Sequence, residues 1–480
     1  MKKLVCRSLA VLLLVAPLAA RADDEALKTR VTELEKRLAE LEKGMTPGAS
    51  TPTGPSTPAA PKASDPFAFA DFTWLTGNSR EKDSPFDSKY FTGEFIADVN
   101  YTYSLNHPKD HTIDGACEVG RSNEFQIQQL GFGGDIHVDN VRGRIMTQFG
   151  MYSQMTPRND ISPSRGQWNL GNGYQYISEA YGGYHWDVMH GINLDAGIFM
   201  SYIGLDSYYN SENWSYTPSY VSANTPWFFN GMRMQIFPTE TLKIEPWLIN
   251  GWQSYGMFNE MPGLGMEILW RPTGNWSLVS NDYWGYDTIG QPSRQRWHTD
   301  DSVQYKYYDS PSRMIDKAAV SLTVDAGCES GAGVSCFGTS ATPAQNFQGF
   351  MLYHRAWFHH DLFGLTIGGG AINNPGRYLV LLPPINGATA TSGTPYFTEN
   401  PGDPFRAWDT SVTFDYMPSQ YLTWRAEFNH RDASVPYFAG PQGMTPAGGN
   451  QGAPGSAVAG FTPDLRRTEN RFTLAMLVRM

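Results

Sequence analysis

The stretch FRAWDTSVTFDYMPSQYLTWRAEFNHRDA, residues 405–433, decides how this chain folds. Trp408, Thr410, Val412, Phe414 and Tyr416 alternate with Asp409, Ser411, Thr413 and Asp415. Beyond Pro418-Ser419-Gln420, Leu422, Trp424, Ala426 and Phe428 alternate with Thr423, Arg425, Glu427 and Asn429. A period of two with one polar face is the signature of a strand, and a three-residue link between two such runs makes a hairpin. The same alternation recurs on both sides. Ile192, Leu194, Ala196 and Ile198 oppose Asn193 and Asp195; Ala318, Val320, Leu322 and Val324 oppose Lys317, Ser321, Thr323 and Asp325; Phe472, Leu474, Met476 and Val478 oppose Arg471, Thr473 and Arg479. Sixteen strands are predicted, at 91–104, 123–138, 141–153, 174–187, 191–203, 227–237, 242–254, 263–271, 276–288, 299–309, 314–325, 346–359, 362–373, 405–417, 421–433 and 469–480. The patterns of 276–288 and 346–359 are ambiguous.

The connections carry as much information as the strands. Seven tight links of two to four residues alternate with eight connections of about 8 to 35 residues. Short turns on one rim and long loops on the other are the habit of bacterial outer-membrane barrels, with the short turns periplasmic. The fold class expected is therefore all-β, a transmembrane antiparallel barrel of about 16 strands. Periodicity alone does not say which face is inside. The polar face carries charges of both signs, too many to bury dry, and aromatics such as Tyr174, Tyr176, Tyr184 and Trp186 gather near strand ends as interfacial girdles do. A barrel this wide leaves an aqueous channel. The apolar face is therefore expected to meet lipid.

The flanking segments fit export. Lys2, Lys3 and Arg7, the apolar run 9–18 and Ala20-Arg21-Ala22 form a signal peptide over residues 1–22. The run is too short for a membrane helix. Loss of Lys2, Lys3, Arg7 and Arg21 takes the net charge from −11 to −15, a sign that disfavours a nucleic-acid partner. Residues 25–43 carry a heptad seam with Leu27, Val31, Leu34, Leu38 and Leu41 as its core, a short coiled coil suited to zipping protomers already held together. Residues 44–66 form a Pro-rich linker, and both are placed in the periplasm. Residues 67–90 are an aromatic and polar pre-barrel segment without clear period, a plug or periplasmic lip. The barrel itself is assigned to residues 91–480.

Two tracts resemble a known family. Phe72-Thr73-Trp74-Leu75-Thr76-Gly77-Asn78-Ser79-Arg80 with Asp87-Ser88-Lys89-Tyr90-Phe91-Thr92-Gly93-Glu94-Phe95 is similar to the start of the OmpL-like Putative β-barrel porin-2 family. Arg425-Ala426-Glu427-Phe428-Asn429-His430-Arg431 followed by Pro436-Tyr437-Phe438 is similar to its penultimate strand and adjoining loop. The resemblance spans roughly residues 67–480. It implies a bacterial outer-membrane porin without catalytic residues. Many such barrels end in Phe or Trp; this chain ends in Met480.

The function expected is passive diffusion of small polar solutes or ions through a water-filled lumen. The alternative is a non-conducting barrel that anchors or contacts partners through its coiled coil and external loops. Pore-lining candidates are Arg142, Arg144, Arg425, Glu427, Arg431, Arg471, Glu94, Asp98, Asp135, Asp195, Asp409 and Asp415, with Glu179 and Arg479 beside them. Rings of such charge shape which ions pass, and pairing among them would stiffen the wall. By analogy with general porins, the third long loop, residues 204–226, is expected to fold inward, bringing Asp206 and Glu212 to a constriction. Its aromatics Trp214, Tyr220 and Trp227 are read as interfacial anchors. Cys328 and Cys336 can close a disulfide ring in an oxidising compartment. No catalytic motif, cofactor or metal site is read from the sequence; His359-His360-Asp361 is taken as a polar turn. The partners expected are outer-membrane lipid and further copies of the chain, a trimer above all.

Overall fold

A computed structural model describes residues 64–379, 384–389, 392 and 404–480, with Lys36 alone before them. The expected signal, the coiled-coil core residues and the linker up to residue 63 lie outside the described residues. The alternating runs become β1 (Phe91–Ser104), β2 (Phe125–Val138), β3 (Val141–Thr147), β4 (Ile177–Trp186), β5 (Ile192–Met200), β6 (Phe228–Thr239), β7 (Leu242–Ile249) and β8 (Gly263–Trp270). They continue as β9 (Trp276–Gly285), β10 (Gln295–Asp309), β11 (Ile315–Ser330), β12 (Asn346–Phe358), β13 (Phe363–Asn374), β14 (Phe405–Ser419) and β15 (Leu422–Ala433). Two strands of two residues, β16 (Phe438–Ala439) and β17 (Leu465–Arg466), pair within the last long loop, and β18 (Thr468–Arg479) ends the series.

Sixteen of these close into one antiparallel barrel in which each strand pairs with its sequence neighbours; β18 pairs with β15 on one side and seals against β1 on the other. The seam runs from Ile96 opposite Arg479 to Ser104 opposite Arg471. A closed barrel leaves no backbone group of the wall unpaired, which is what allows strands to cross lipid. Among the described residues no helix is long and apolar enough to do so.

The orientation follows the expectation. Along β14 each residue from Phe405 to Met417 alternates between buried and exposed. Trp408, Val412 and Phe414 face out, whereas Asp409, Thr413 and Asp415 face in. Leu474 is 63% exposed on the outside while Arg471, three residues earlier, is 1% exposed inside. Outward aromatics stack along both rims. Trp276 lies 4.1 Å from Tyr305, and Phe363 packs on Phe414 and Tyr416, near the short turns; Trp284 meets Trp297 on the long-loop side. Such belts sit at headgroup level.

Several strand ends differ from the sequence reading, among them that of β7, at Ile249 rather than 254. β3 ends at Thr147 rather than 153, because Tyr152–Met155 and Thr156–Asn159 coil into short helical turns. β10 starts four residues earlier, at Gln295, and β11 ends five residues later, at Ser330, pairing with each other beyond the rim of β9 and β12. Cys328, near the end of β11, is bonded to Cys336 of loop L6, residues 331–345.

Candidate functional site: the lumen and what fills it

Loop L3, residues 201–227 between β5 and β6, turns into the barrel instead of outward. Its tip crosses to the far wall, where polar side chains meet its backbone. Glu427 accepts the Tyr216 and Thr217 amides at 2.6 and 2.9 Å and the Thr413 hydroxyl at 2.8 Å. Asp409 accepts the Tyr220 amide at 2.9 Å and the Ser219 hydroxyl at 2.8 Å. Arg425 donates to the carbonyls of Asn210, Ser215 and Asn213 at 3.0, 2.9 and 2.8 Å while its Nε holds Asp415 at 2.7 Å. Arg431 donates to the Pro218 carbonyl at 2.7 Å, and also reaches the Gly115 carbonyl of loop L1, residues 105–124. Asp98 completes the cradle, accepting from Asn210 and Tyr216. Hydrogen bonds to charged groups are each worth about 1.5–3 kcal/mol, so this set fixes the loop firmly.

The wall makes room for it. A Cβ on Gly370, inward on β13, would strike Ser219 Oγ. Trp214, Tyr220 and Trp227, expected as interfacial anchors, lie instead within the lumen, between 2 and 6% exposed. Trp214 stands edge-on to Trp357 at 5.7 Å. The correction has a simple cause: the loop is inside, so its aromatics pack against wall residues rather than against lipid.

The pre-barrel segment fills the other end. Trp74 is 1% exposed, donates to the Gly274 carbonyl of the β8–β9 turn at 3.0 Å, and packs in one cluster with Trp214, Phe347, Met351 and Trp357. Asn78 reaches the Ser419 carbonyl at 3.1 Å, and Arg80 the Met417 carbonyl at 2.7 Å, both at the β14–β15 turn. The segment thus rises from the short-turn rim until it meets L3, where Trp214 Nε1 donates to the Trp74 carbonyl at 3.2 Å. Arg355 ties the two together, donating to Trp214 O at 3.2 Å and Gly77 O at 2.9 Å while pairing with Asp415 at 2.7 Å. A Cβ at Gly77 would collide with the Ser211 and Asn213 carbonyls, so only glycine permits this approach.

All twelve wall residues named from the sequence lie on the inner face, in two groups. Asp98, Asp409, Asp415, Arg425, Glu427, Arg431 and Arg471 form the cradle wall and are at most 4% exposed; Arg471 itself pairs with Glu469 at 3.3 Å. On β1–β5, Arg144 holds Glu94, Asp135 and Glu179 at 2.7, 2.9 and 2.6 Å, and Arg142 reaches Asp195 at 3.2 Å. Asp206 and Glu212 sit on L3, Glu212 paired with Arg479. Burial pushes Asp206 up to about 6, with the nearby Ser222 hydroxyl opposing the rise and Asp409 adding repulsion. Sequence reading missed Arg355, on one of the ambiguous strands, and the second wall network, where Lys243 bridges Glu245 and Glu267 at 2.7 and 2.9 Å. It also missed Asp300 and Asp325, facing carboxylates on β10 and β11. Among the described residues no three His, Cys, Asp or Glu side chains converge to hold a metal ion.

A sixteen-stranded barrel with a lipid-facing apolar belt and a charged interior defines an outer-membrane diffusion channel. The chain belongs to the family described as Putative beta-barrel porin-2, OmpL-like, which it matches over residues 91–476. It is an outer-membrane porin. Solved structures similar to it include the outer membrane channel DcaP of Acinetobacter baumannii (13% identity, 83% of this chain and 100% of that one, TM-score 0.45). Others are an anion-selective porin from Comamonas acidovorans (8%, 81% and 99%, 0.44) and Pseudomonas putida OprB (11%, 81% and 94%, 0.44). No curated protein matches the chain.

Proposed function

We propose that small polar solutes and ions cross this porin through a passage narrowed jointly by L3 and by residues 64–90, and that no reaction is catalysed on the way. The observation that carries this reading is Arg355, whose one guanidinium holds the loop from outside and the segment from below. Asp206 and Glu212 face the gap left beside L3, and the inner wall of β8–β10 borders it. Reconstitution in planar bilayers is the test. The wild-type chain is expected to give discrete conductance steps, and deletion of residues 66–82 larger ones. Equal steps would remove the segment from the constriction, and silence from both proteins would favour the non-conducting anchor.

The proposal extends to assembly as a homotrimer with the coiled coil in the periplasm. Two features support self-association. One is the heptad seam at Leu27, Val31, Leu34, Leu38 and Leu41. The other lies on the outer wall, where Asp282 and Asp301 point outward, exposed, in register with Thr299 and Ser280 across β9 and β10. Asp301 is the seventh of the fifteen residues of β10, and charge at mid-height on a lipid face is destabilising; a second protomer would shield it. Cysteine at Ser280 or Thr299 is expected to cross-link copies in native membranes. Cross-linking confined to residues elsewhere on the wall would place the contact off this face.

A further inference from the structure

Two cavities in the lumen share Thr76 and Glu212. One, of about 400 Å³, runs between L3 and the β8–β10 wall past Asp206, Glu267 and Arg271. The other, of about 360 Å³, continues toward the short-turn rim past Glu81, Glu94 and Arg479. Together they trace a route from beside the loop to the periplasmic mouth. Seven carboxylates and three cations line it, a surplus of four negative charges.

The cations on this route are spoken for. Arg479 is held by Glu81, Glu94 and Glu212, and Lys82 by Asp71. Arg271 lies over the rings of Phe67 and Phe72 at the short-turn end. Arg144 and Arg479 between them serve five carboxylates: Glu94, Asp135, Glu179, Glu81 and Glu212. Of the acids on this route, Asp206 and the exposed Asp83 are the two without an ion pair among the described residues, and only Asp206 belongs to L3. No Lys, Arg or His among the described residues comes within ion-pair distance of it, and its Oδ2 is buried without a hydrogen-bond partner. The charged groups that bear on it are acids from three other elements: Asp409 of β14, Asp300 of β10 and Glu118 of L1. A low-dielectric passage lined by charge of one sign concentrates ions of the other.

We propose that this pore passes cations in preference to anions, and that Asp206 on the inner loop is the carboxylate that sets the preference. The inference rests on the porin reading, and one experiment separates the two. Zero-current potentials are measured in planar bilayers across a KCl gradient, for the wild-type chain and for Asp206→Asn, each checked for native heat-modifiable gel mobility. A potential of the sign for potassium permeation is expected in the wild type, with Asp206→Asn moving it toward zero. Lowering the pH from 7 to 5 should act on the wild type in the same direction, because Asp206 loses its charge near 6. Asp409, Asp300, Glu118 and the Tyr353 hydroxyl face Asp206 in the fold, so the asparagine variant should retain only the part of the pH response that they supply. A wild-type pore with no preference, or with one for chloride, overturns the proposal. A cation preference that Asp206→Asn leaves untouched removes Asp206 from it. Absence of any conductance fails the porin reading instead.

Discussion

Replacing Glu427 with glutamine should loosen the tip of L3 without unfolding the barrel. The Glu427 carboxylate accepts two L3 amides, from Tyr216 and Thr217, one on each oxygen. Glutamine keeps one acceptor and turns the other into an NH₂ that faces an N–H donor. One charge-assisted bond is lost outright and the other loses its charge, together roughly 3 kcal/mol, or about a hundredfold in the ratio of loose to docked tip. Asp409, Arg425 and Arg431 still hold the flanking turns, so the loop as a whole stays inside. Single-channel recording is the assay. The open level should become noisy, with excursions to higher conductance that the wild type rarely makes. Thr413→Val is the control: it removes the third bond to Glu427, leaves charge and both amide bonds in place, and should record as wild type. Noise and mean conductance equal to wild type in Glu427→Gln would refute the claim that these two amide bonds hold the tip.

Two further outcomes are expected. Cys117 in L1 is partly buried, and burial first, with Glu118 beside it, pushes its thiol up to about 12. At pH 8 it should react with iodoacetamide about a thousandfold more slowly than a free cysteine, and prompt labelling of the folded protein would contradict that placement. The Cys328–Cys336 bond closes a short ring, separation 8, from the end of β11 into L6, and a ring of that size restrains the open chain by about 2.5 kcal/mol. The double serine variant should be cut faster in L6 by added protease while the temperature at which the barrel loses its compact gel mobility stays the same; a lowered barrel transition would show that L6 supports the wall.

The wall was legible because it repeats. In β14 and β15 each rung places one residue in lipid and one inside, so the residue types report the geometry directly. β12 was ambiguous for a reason the interior explains. Phe347, Met351, Tyr353 and Trp357 face inward and Phe350 and Leu352 outward, and the inner face is apolar there because Trp74 and Trp214 pack against it. Alternation fades wherever the lumen is filled by protein instead of water, and Arg355 was overlooked with it. The inward fold of L3 was expected by analogy with general porins, but the contacts that hold it were beyond reach for another reason. Arg425, Arg431 and Glu427 bind backbone carbonyls and amides, and a peptide group looks the same in every residue that supplies it. The role of residues 64–90 was hidden likewise: Trp74 and Gly77 have no period, only a fit.

The far-wall cradle also has a bearing on biogenesis. Thr217 and its acceptor Glu427 are separated by 210 residues, and the Arg425 partners on L3 by similar distances. Closing so long a segment before any reward arrives is entropically slow. During synthesis the inner loop lacks most of its cradle until β14 and β15 exist, so the interior is completed shortly before the stage that zips the seam, and a chain stalled short of these strands would present an open sheet with a wandering aromatic loop to the quality-control proteases of the envelope.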